Sequence, residues 1–271
     1  MVFNSPDKVA ELTRLSAGER LPDGRPRVPD ELLERMKLVT TEEAWSVLRR
    51  HGYHFQFEGN WLNLHPEQIL VGRAVTAVFV PMRPDFHELV QEGGLAEGRS
   101  GGQNTWVIET LVPNDVLVVD LFGKVKDGTF AGDNLSTAIH ARAHTGFVVD
   151  GGIRDLQRIL ELPDFAVFTR GVDPSAIHDV TLAGVNVPVR IGQATVLPGD
   201  VVLGTPTGVL FIPAHLAAEV VEHSEDTRLR DRFGKGRIAA GTYTSSEIDV
   251  PNWAEHIEAD YQKWRAMSDE R

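Results

Sequence analysis

An arginine and an aspartate stand side by side directly after an apolar stretch of this chain. Residues 147–150 predict a β-strand, and two glycines lead from it to Arg154 and Asp155. We expect a tight turn at Gly151 and Gly152, because residues without a Cβ adopt left-handed backbone and allow close approach of a ligand. A guanidinium binds a carboxylate through two parallel hydrogen bonds, and carboxylate oxygens suit Mg²⁺ or Mn²⁺. The pair fits chemistry on a 2-oxo acid, although mutual pairing or helix capping would also explain it.

A second signal, at residues 132–135, predicts the start of a helix. Asp133 or Asn134 is the expected N-cap, and Gly146 is expected to end the helix. The apolar positions of the helix recur at helical spacing. They are Leu135, Ala138, Ile139 and Ala143.

These two signals are expected to meet at one edge of a sheet. The helix of an αβ unit runs back along the strand, so its N-terminus lies where the strand ends. A helix N-terminus attracts anions through its free amides and its dipole. The amides of Asn134 and Leu135 should therefore face Arg154 and Asp155 across a single pocket.

Residues 132–135 and 146–155 together resemble the RraA-like family, which includes 4-hydroxy-4-methyl-2-oxoglutarate and 4-carboxy-4-hydroxy-2-oxoadipate aldolases. The resemblance extends to residues 70–76, 113–119 and 198–202. It implies an α/β fold of the swivelling β/β/α type with N- and C-terminal helical extensions. The implied divisions are an N-terminal extension (1–39), an RraA-like catalytic domain (40–225) and a C-terminal helical tail (226–271).

The resemblance also implies roles for individual residues. Arg154 would bind the substrate carboxylate together with the amides of Asn134 and Leu135, and Asp155 would be the ligand of Mg²⁺ or Mn²⁺. Asp133 would support the water shell of that metal and take part in catalysis. The implied reaction is retro-aldol cleavage of a 4-hydroxy-2-oxo acid to pyruvate plus an aldehyde or oxo acid, with oxaloacetate decarboxylation as a second activity. The alternative is a non-catalytic, protein-binding regulator of the RNase E inhibitor type.

The family resemblance further implies a homotrimer or a dimer of trimers with sites at subunit interfaces. An aromatic stripe on a C-terminal helix could clasp a neighbouring subunit or pack on the protein's own core. The stripe consists of Trp253, Ile257, Tyr261 and Trp264.

Two segments depart from the family pattern. Residues 84–104 form a longer segment than is usual, for which we predict a short helix at 86–90 and a flexible glycine-rich loop at 92–102. Residues 204–208 lack the aspartate that many relatives carry. Because loops commonly set specificity, we expect the pyruvate half of the substrate to be retained and the other half to be neutral and hydroxylated.

Composition narrows the choice of partner and compartment. The formal net charge of −12 over 271 residues argues against binding of nucleic acid. The chain has no cysteine, which excludes disulfides and thiolate chemistry. No apolar run approaches the length of a membrane span, so we expect no membrane partner and a cytoplasmic location.

Other residues compete for a chemical role. His140 and His144 have the spacing of a helical zinc pair but lack the intervening glutamate of HExxH, and His144 suits a helix C-terminus instead. Lys124 and Lys126 could form a Schiff base in a metal-free aldolase, although solvated loop lysines are commoner.

Sequence patterns also predict the surrounding elements. Residues 7–27 are expected to drape over the surface or a neighbour, and Thr40 begins a capped helix. The expected strands lie at 68–80, 116–120, 165–168, 187–191, 201–204 and 209–212.

Overall fold

The computed structural model describes residues 2–269, with side chains up to Met267. Its α-helices are α1 (Pro6–Leu12), α2 (Asp30–Met36), α3 (Thr41–Arg50), α4 (Pro84–Ala96), α5 (Gln103–Ile108), α6 (Asp133–Ala143), α7 (Leu156–Ile159), α8 (Ala217–Ala239), α9 (Ser245–Ile248) and α10 (Glu255–Asp269). Its strands are β1 (Phe57–Glu58), β2 (Leu62–Asn63), β3 (Leu70–Pro81), β4 (Asp115–Thr129), β5 (Gly146–Ile153), β6 (Ala166–Val172), β7 (Val180–Val185), β8 (Val189–Ile191), β9 (Ala194–Val196), β10 (Val201–Thr205) and β11 (Gly208–Ile212).

A mixed sheet with the order β1-β11-β10-β3-β4-β5-β6-β2 forms the centre of the molecule, and β7 pairs with the end of β3. Strands β3 to β6 run parallel, and β10 and β11 extend the sheet as an antiparallel hairpin. The strands predicted near residues 68–80, 201–204 and 209–212 are confirmed. The strand predicted at 187–191 is shorter and pairs only with β9, and β7 was not predicted.

Apolar side chains cover both faces of this sheet. Helices α4 to α7 pack on one face, while the β8–β9 hairpin closes the other. Helices α2, α3 and α8 bury the β10–β11 end. The predicted α/β fold class with helical extensions is therefore confirmed. None of the helices between residues 2 and 269 is long and apolar enough to cross a membrane.

The N-terminal segment does more than drape over the surface. Arg25 is 1% exposed and donates two hydrogen bonds to the buried carboxylate of Asp115, at 2.8 and 3.0 Å. The expectation for residues 7–27 is wrong at this residue, because a carboxylate buried in the sheet requires a cation.

The first half of the glycine-rich segment is helical rather than a flexible loop. Helix α4 continues to Ala96, and only residues 97–102 lack helical structure before α5. Gly94 explains the difference, because a Cβ there would lie 2.2 Å from the ring of Trp106. This glycine permits close packing of α4 on α5, which a local composition signal cannot reveal.

The C-terminal aromatic stripe packs within the same chain. Ile257 and Tyr261 of α10 are buried against Phe233 of α8, and Trp253 and Trp264 flank them. Helix α8 runs without interruption across residues 225 and 226, between which the sequence suggested a boundary.

Candidate active site

The start of α6 and the end of β5 meet at one edge of the sheet, as predicted. The amide of Phe130 donates to Gly152 O at 2.8 Å, and the amide of Arg154 donates to Ala131 O at 3.1 Å. These two bonds hold the segment before α6 beside the segment after β5. Asp133, Asn134, Leu135, Arg154 and Asp155 therefore lie around one site.

The two glycines of β5 do not form the predicted turn. Neither Gly151 nor Gly152 has a positive φ, and both belong to the strand. A Cβ would lie 2.8 Å from Leu121 Cδ2 at the first and 2.7 Å from Val125 O at the second, so the long strand β4 requires glycine here. The left-handed residue is Asp155, with φ 57° and ψ 33°. The left-handed turn therefore lies three residues after Gly152, where the sequence placed it.

The caps of α6 also differ from the prediction. Gly132 is the N-cap, so Asp133 is the first helical residue and its Oδ1 accepts from the amide of Asn134 at 2.7 Å. The helix ends at Ala143 with a left-handed His144, and Gly146 already belongs to β5. Of the two amides expected to bind an anion, that of Asn134 is engaged by Asp133. An anion can reach it only after the Asp133 side chain has rotated away.

The side chains of Arg154 and Asp155 pack directly against the Cα of Gly132. A Cβ at this position would lie 2.3 Å from Asp155 Oδ2 and 3.0 Å from Arg154 Nε. Both side chains thus cross the bare Cα to reach the N-terminus of α6, where Asp155 Oδ2 lies 3.4 Å from the Asp133 amide. Because its φ of −109° suits any residue, glycine is required here for space rather than for backbone conformation.

Arg154 and Asp155 contact each other only weakly. The distance from Arg154 Nε to Asp155 Oδ2 is 3.4 Å, and the side chains are 44% and 40% exposed. Among residues 2–269, neither terminal nitrogen of Arg154 has a hydrogen-bond partner. The mutual pairing considered from the sequence is present, yet it leaves the guanidinium fork open for a ligand.

Two recesses adjoin these residues. The inner recess, of about 90 Å³, lies between Arg154 and the N-terminus of α6 and is also lined by Asn104 and Ile177. The outer recess, of about 430 Å³, is lined by residues 155–158 and by Asp133, which borders both. Sequence reasoning missed Asn104, Ile177 and Arg158, since only the folded chain brings them here.

The donors around the outer recess are hard oxygens. Asp133 Oδ2 and Asp155 Oδ1 have no hydrogen-bond partner within the part of the chain that the structure describes. In the same residues no group of three or more His, Cys, Asp or Glu side chains could hold a metal ion. Two carboxylates with water completing the shell is an arrangement typical of Mg²⁺, and it fits this pair.

The competing residues lie elsewhere. His140 packs its ring on Phe165 at 5.4 Å, and the backbone of His144 caps α6. Lys124 and Lys126 do not line either recess. Residues 204–208 form the β10–β11 turn, where the Thr205 hydroxyl contacts Thr41 of α3.

A second group of acidic residues lies on the opposite face of β4 and β5, and its carboxylates are engaged by other residues of the chain. Arg170 binds Asp150 at 2.6 Å and Glu58 at 2.9 Å. Asp120 accepts from the amides of Phe122 and Arg190, and its burial, with the charge of Asp150 adding to it, raises its pKa. The bond from Arg190 holds the β8–β9 hairpin on the sheet, so we assign this group a structural role.

Comparison with known proteins places the chain in a family. An RraA-like family model, described as Aldolase/RraA, matches residues 37–211. A Halalkalibacterium halodurans protein named "Putative 4-hydroxy-4-methyl-2-oxoglutarate aldolase" is 30% identical over 52% of this chain and 67% of its own length. A Thermus thermophilus 4-hydroxy-4-methyl-2-oxoglutarate aldolase is 28% identical over 40% of this chain and 64% of its own.

A solved structure supports the same assignment. Streptomyces coelicolor RraAS2, described as an unusual member of the RNase ES inhibitor RraA protein family, aligns with a TM-score of 0.66 and 26% identity. The alignment covers 80% of this chain and 98% of RraAS2. The match over residues 37–211, together with the shared fold, shows that this chain belongs to the RraA-like family.

Proposed function

We propose that this protein is a carbon–carbon lyase that uses Mg²⁺ or Mn²⁺ and acts on 2-oxo acids. The observation that carries the proposal is the convergence over Gly132 of an open guanidinium fork, an open carboxylate oxygen and the N-terminus of α6. Arg154 suits the carboxylate of a 2-oxo acid, and a metal held by the neighbouring carboxylates suits its 2-keto oxygen. The aldolase names of two relatives support this reaction class.

Different residues bind the substrate carboxylate and the metal. Arg154 and the amide of Leu135 hold the substrate carboxylate in the inner recess, and the amide of Asn134 joins them when Asp133 rotates away. Asp155 and Asp133 hold the metal and its waters at the outer recess. When bound, the metal supplies a Lewis acid for the 2-keto oxygen.

The proposed cleavage breaks the bond between C3 and C4 of a 4-hydroxy-2-oxo acid. A water ordered by Asp133 takes the proton of the 4-hydroxyl group, C4 becomes a carbonyl, and the bonding electron pair forms pyruvate enolate. Protonation of C3 then gives pyruvate. Oxaloacetate decarboxylation yields the same enolate, with carbon dioxide as the other product.

We further propose that the distal half of the substrate is neutral and hydroxylated. A third recess of about 340 Å³ beside α4, called the α4 recess, shares Asn104 and Ile177 with the inner recess. Its polar lining includes His87, Gln91 and His178, and none of its lining residues is a lysine or arginine. Such groups suit hydroxyl groups better than a second carboxylate.

Two variants test this choice of distal group. Gln91→Leu should raise KM for sugar-derived 4-hydroxy-2-oxo acids without affecting oxaloacetate, which has no hydroxylated distal half. Arg158→Gln should leave the difference in KM between these substrates and oxaloacetate unchanged, since Arg158 does not line the α4 recess and pairs with Glu161 at 2.9 Å. A strong preference for 4-hydroxy-4-methyl-2-oxoglutarate that is lost in Arg158→Gln would instead assign a distal carboxylate to Arg158.

The reaction class itself is tested by pyruvate release. The purified protein is treated with EDTA and assayed on 4-hydroxy-2-oxo acids and oxaloacetate before and after addition of Mg²⁺ or Mn²⁺. We expect turnover only with metal. Light scattering on the same sample tests the proposed assembly, for which the mass should be a multiple of three subunits.

A second candidate function is regulation of an RNase. It is favoured by the likeness to RraAS2 over 80% of this chain. Because the net charge of −12 opposes RNA binding, such a regulator would act through protein contacts. Absence of turnover on every 2-oxo acid, combined with inhibition of an RNase E-type enzyme, would establish this candidate in place of the lyase.

A further inference from the structure

Two turns of this chain place an aspartate in the same local setting. Asp115 follows Pro113-Asn114, and Asp200 follows Pro198-Gly199. Each carboxylate accepts a hydrogen bond from the amide three residues earlier, at 2.9 Å from Val112 and 2.8 Å from Leu197. Both residues are buried, with 0% and 5% exposure. The two turns can therefore be compared directly.

The two carboxylates differ in their charge balance. Asp115 is paired with the guanidinium of Arg25, which donates to both of its oxygens. Asp200 has only the bond from Leu197, and no charged group within the described residues offsets its burial. Burial therefore raises the pKa of Asp200 to about 7. A buried carboxylate without a cation is costly for a folded protein.

A cavity lies beside Asp200, which forms part of its lining. It measures about 300 Å³, and Asp200 is the only acidic residue among those that line it. The N-terminal segment forms one wall with Leu12 and Leu15, and Tyr53, Pro213 and His215 form much of the remainder. The volume is that of a small-molecule site, and most of its lining is apolar.

The other polar groups of this cavity do not neutralise Asp200. Burial, with the charge of His51 adding to it, lowers the pKa of His215, so this imidazole is uncharged at pH 7. The side chain of Gln56 already donates to Thr195 O at 3.1 Å and Phe211 O at 3.0 Å. Tyr53, the other titratable group of the lining, cannot carry a positive charge.

We propose that this cavity binds a protonated amine or guanidinium carried on a small apolar body, with Asp200 as its anionic partner. The cation pairs with Asp200 as Arg25 pairs with Asp115, and the apolar walls of the cavity contact the apolar part of the ligand. It is either a free small molecule or a lysine or arginine side chain from a second copy of this chain. This site is independent of the proposed lyase chemistry, because it shares no residue with the recesses around Gly132.

Calorimetric titration with n-hexylamine and n-hexanol at pH 7 tests the proposal. The amine should bind at least about tenfold more tightly, because a hydrogen bond to a charged group contributes that much or more. Binding should also release about half a proton, measured in buffers of different ionisation enthalpy, because Asp200 has a pKa of about 7 before binding. A solely apolar cavity would release none.

Matched variants and the mass in solution complete the test. Asp200→Asn keeps an acceptor for the Leu197 amide and should abolish the preference for the amine. Glu219→Gln removes a charge that is 45% exposed and lies outside the cavity lining, and it should preserve the preference. If a second copy supplies the cation, Asp200→Asn should lower the mass by light scattering, and hexylamine should do the same to the wild type. An unchanged mass with amine binding assigns a free ligand. Equal affinity for amine and alcohol, with the mass unchanged in Asp200→Asn, would overturn the proposal.

Discussion

Replacing Gly132 with alanine should damage the site while sparing the fold. The added Cβ would lie 2.3 Å from Asp155 Oδ2, whereas ordinary van der Waals contact begins at 3.4 Å. The carboxylate must therefore retreat by about 1 Å, and Arg154 Nε, at 3.0 Å, must shift with it. A displacement of about 1 Å at reacting groups can cost about 100-fold in rate, so we expect kcat/KM to fall by about that factor.

The fold should tolerate the same change. The backbone of Gly132, at φ −109° and ψ −161°, is open to alanine, and both displaced side chains are partly exposed. Loss of the flexibility that glycine gives the unfolded chain offsets part of the steric cost by about 0.4–1 kcal/mol. The free energy of unfolding should therefore change by less than about 1 kcal/mol.

The assay combines pyruvate release, titration with Mg²⁺ and thermal unfolding. Gly236→Ala is the matched control, because no atom lies within 4 Å of its added Cβ and it stands in α8. That control should keep full activity and gain up to about 1 kcal/mol of stability. Wild-type kcat/KM and metal affinity in Gly132→Ala would refute the inference that the site closes over this glycine.

Three further predictions concern substrate binding by Arg154, the buried Arg25–Asp115 pair and the pH dependence of stability. Arg154→Lys keeps the charge but loses the two parallel donors of the guanidinium, so kcat/KM for 2-oxo acids should fall at least about tenfold, or ~1.4 kcal/mol. Thermal unfolding should not change, and unchanged kinetics would make Arg154 a structural residue. Arg25→Met leaves the buried Asp115 without its hydrogen-bonded cation and should cost about 3–5 kcal/mol in chemical denaturation. The exposed Arg27→Met should cost under about 1 kcal/mol, and equal losses would contradict the buried pair. Because the pKa of Asp200 is about 7 in the folded chain and ordinary in the unfolded one, the folded protein binds more protons between about pH 4 and pH 7. Asp200 therefore lowers the free energy of unfolding as pH rises through that window, by at most about 4 kcal/mol. Asp200→Asn should remove this pH dependence, and an identical pH profile in the variant would refute the assignment.

The sequence predicted those parts of the site that depend on local pattern. Apolar periodicity located α6 and β5, and the αβ rule placed their ends at one edge, which brought Asp133 and Arg154 together. Close approach between distant segments left no local signal. Gly151 is a glycine because strand β4 passes beside it, and Asp115 is balanced by Arg25 from a segment 90 residues away.

The details of the turns were also beyond local reasoning. Glycine is the residue that most readily takes left-handed backbone, yet at this site Asp155 does so and the preceding glycines remain extended. The N-cap falls on Gly132 although Asp133 and Asn134 are stronger capping residues, because the space over Gly132 is filled by Asp155 and Arg154. Tertiary packing thus overrides the local preferences at the residues to which we assign chemistry.

The central claim is that a divalent metal held by Asp155 is required for carbon–carbon cleavage. The most direct measurement is the rate of pyruvate release by EDTA-treated protein during stepwise addition of Mg²⁺, for the wild type and for Asp155→Asn. The wild type should be inactive after chelation and should recover with added metal, whereas Asp155→Asn should stay inactive throughout, because an amide replaces the open carboxylate oxygen. Full activity in the chelated wild type, together with a lysine adduct trapped by borohydride in the presence of substrate, would contradict the claim.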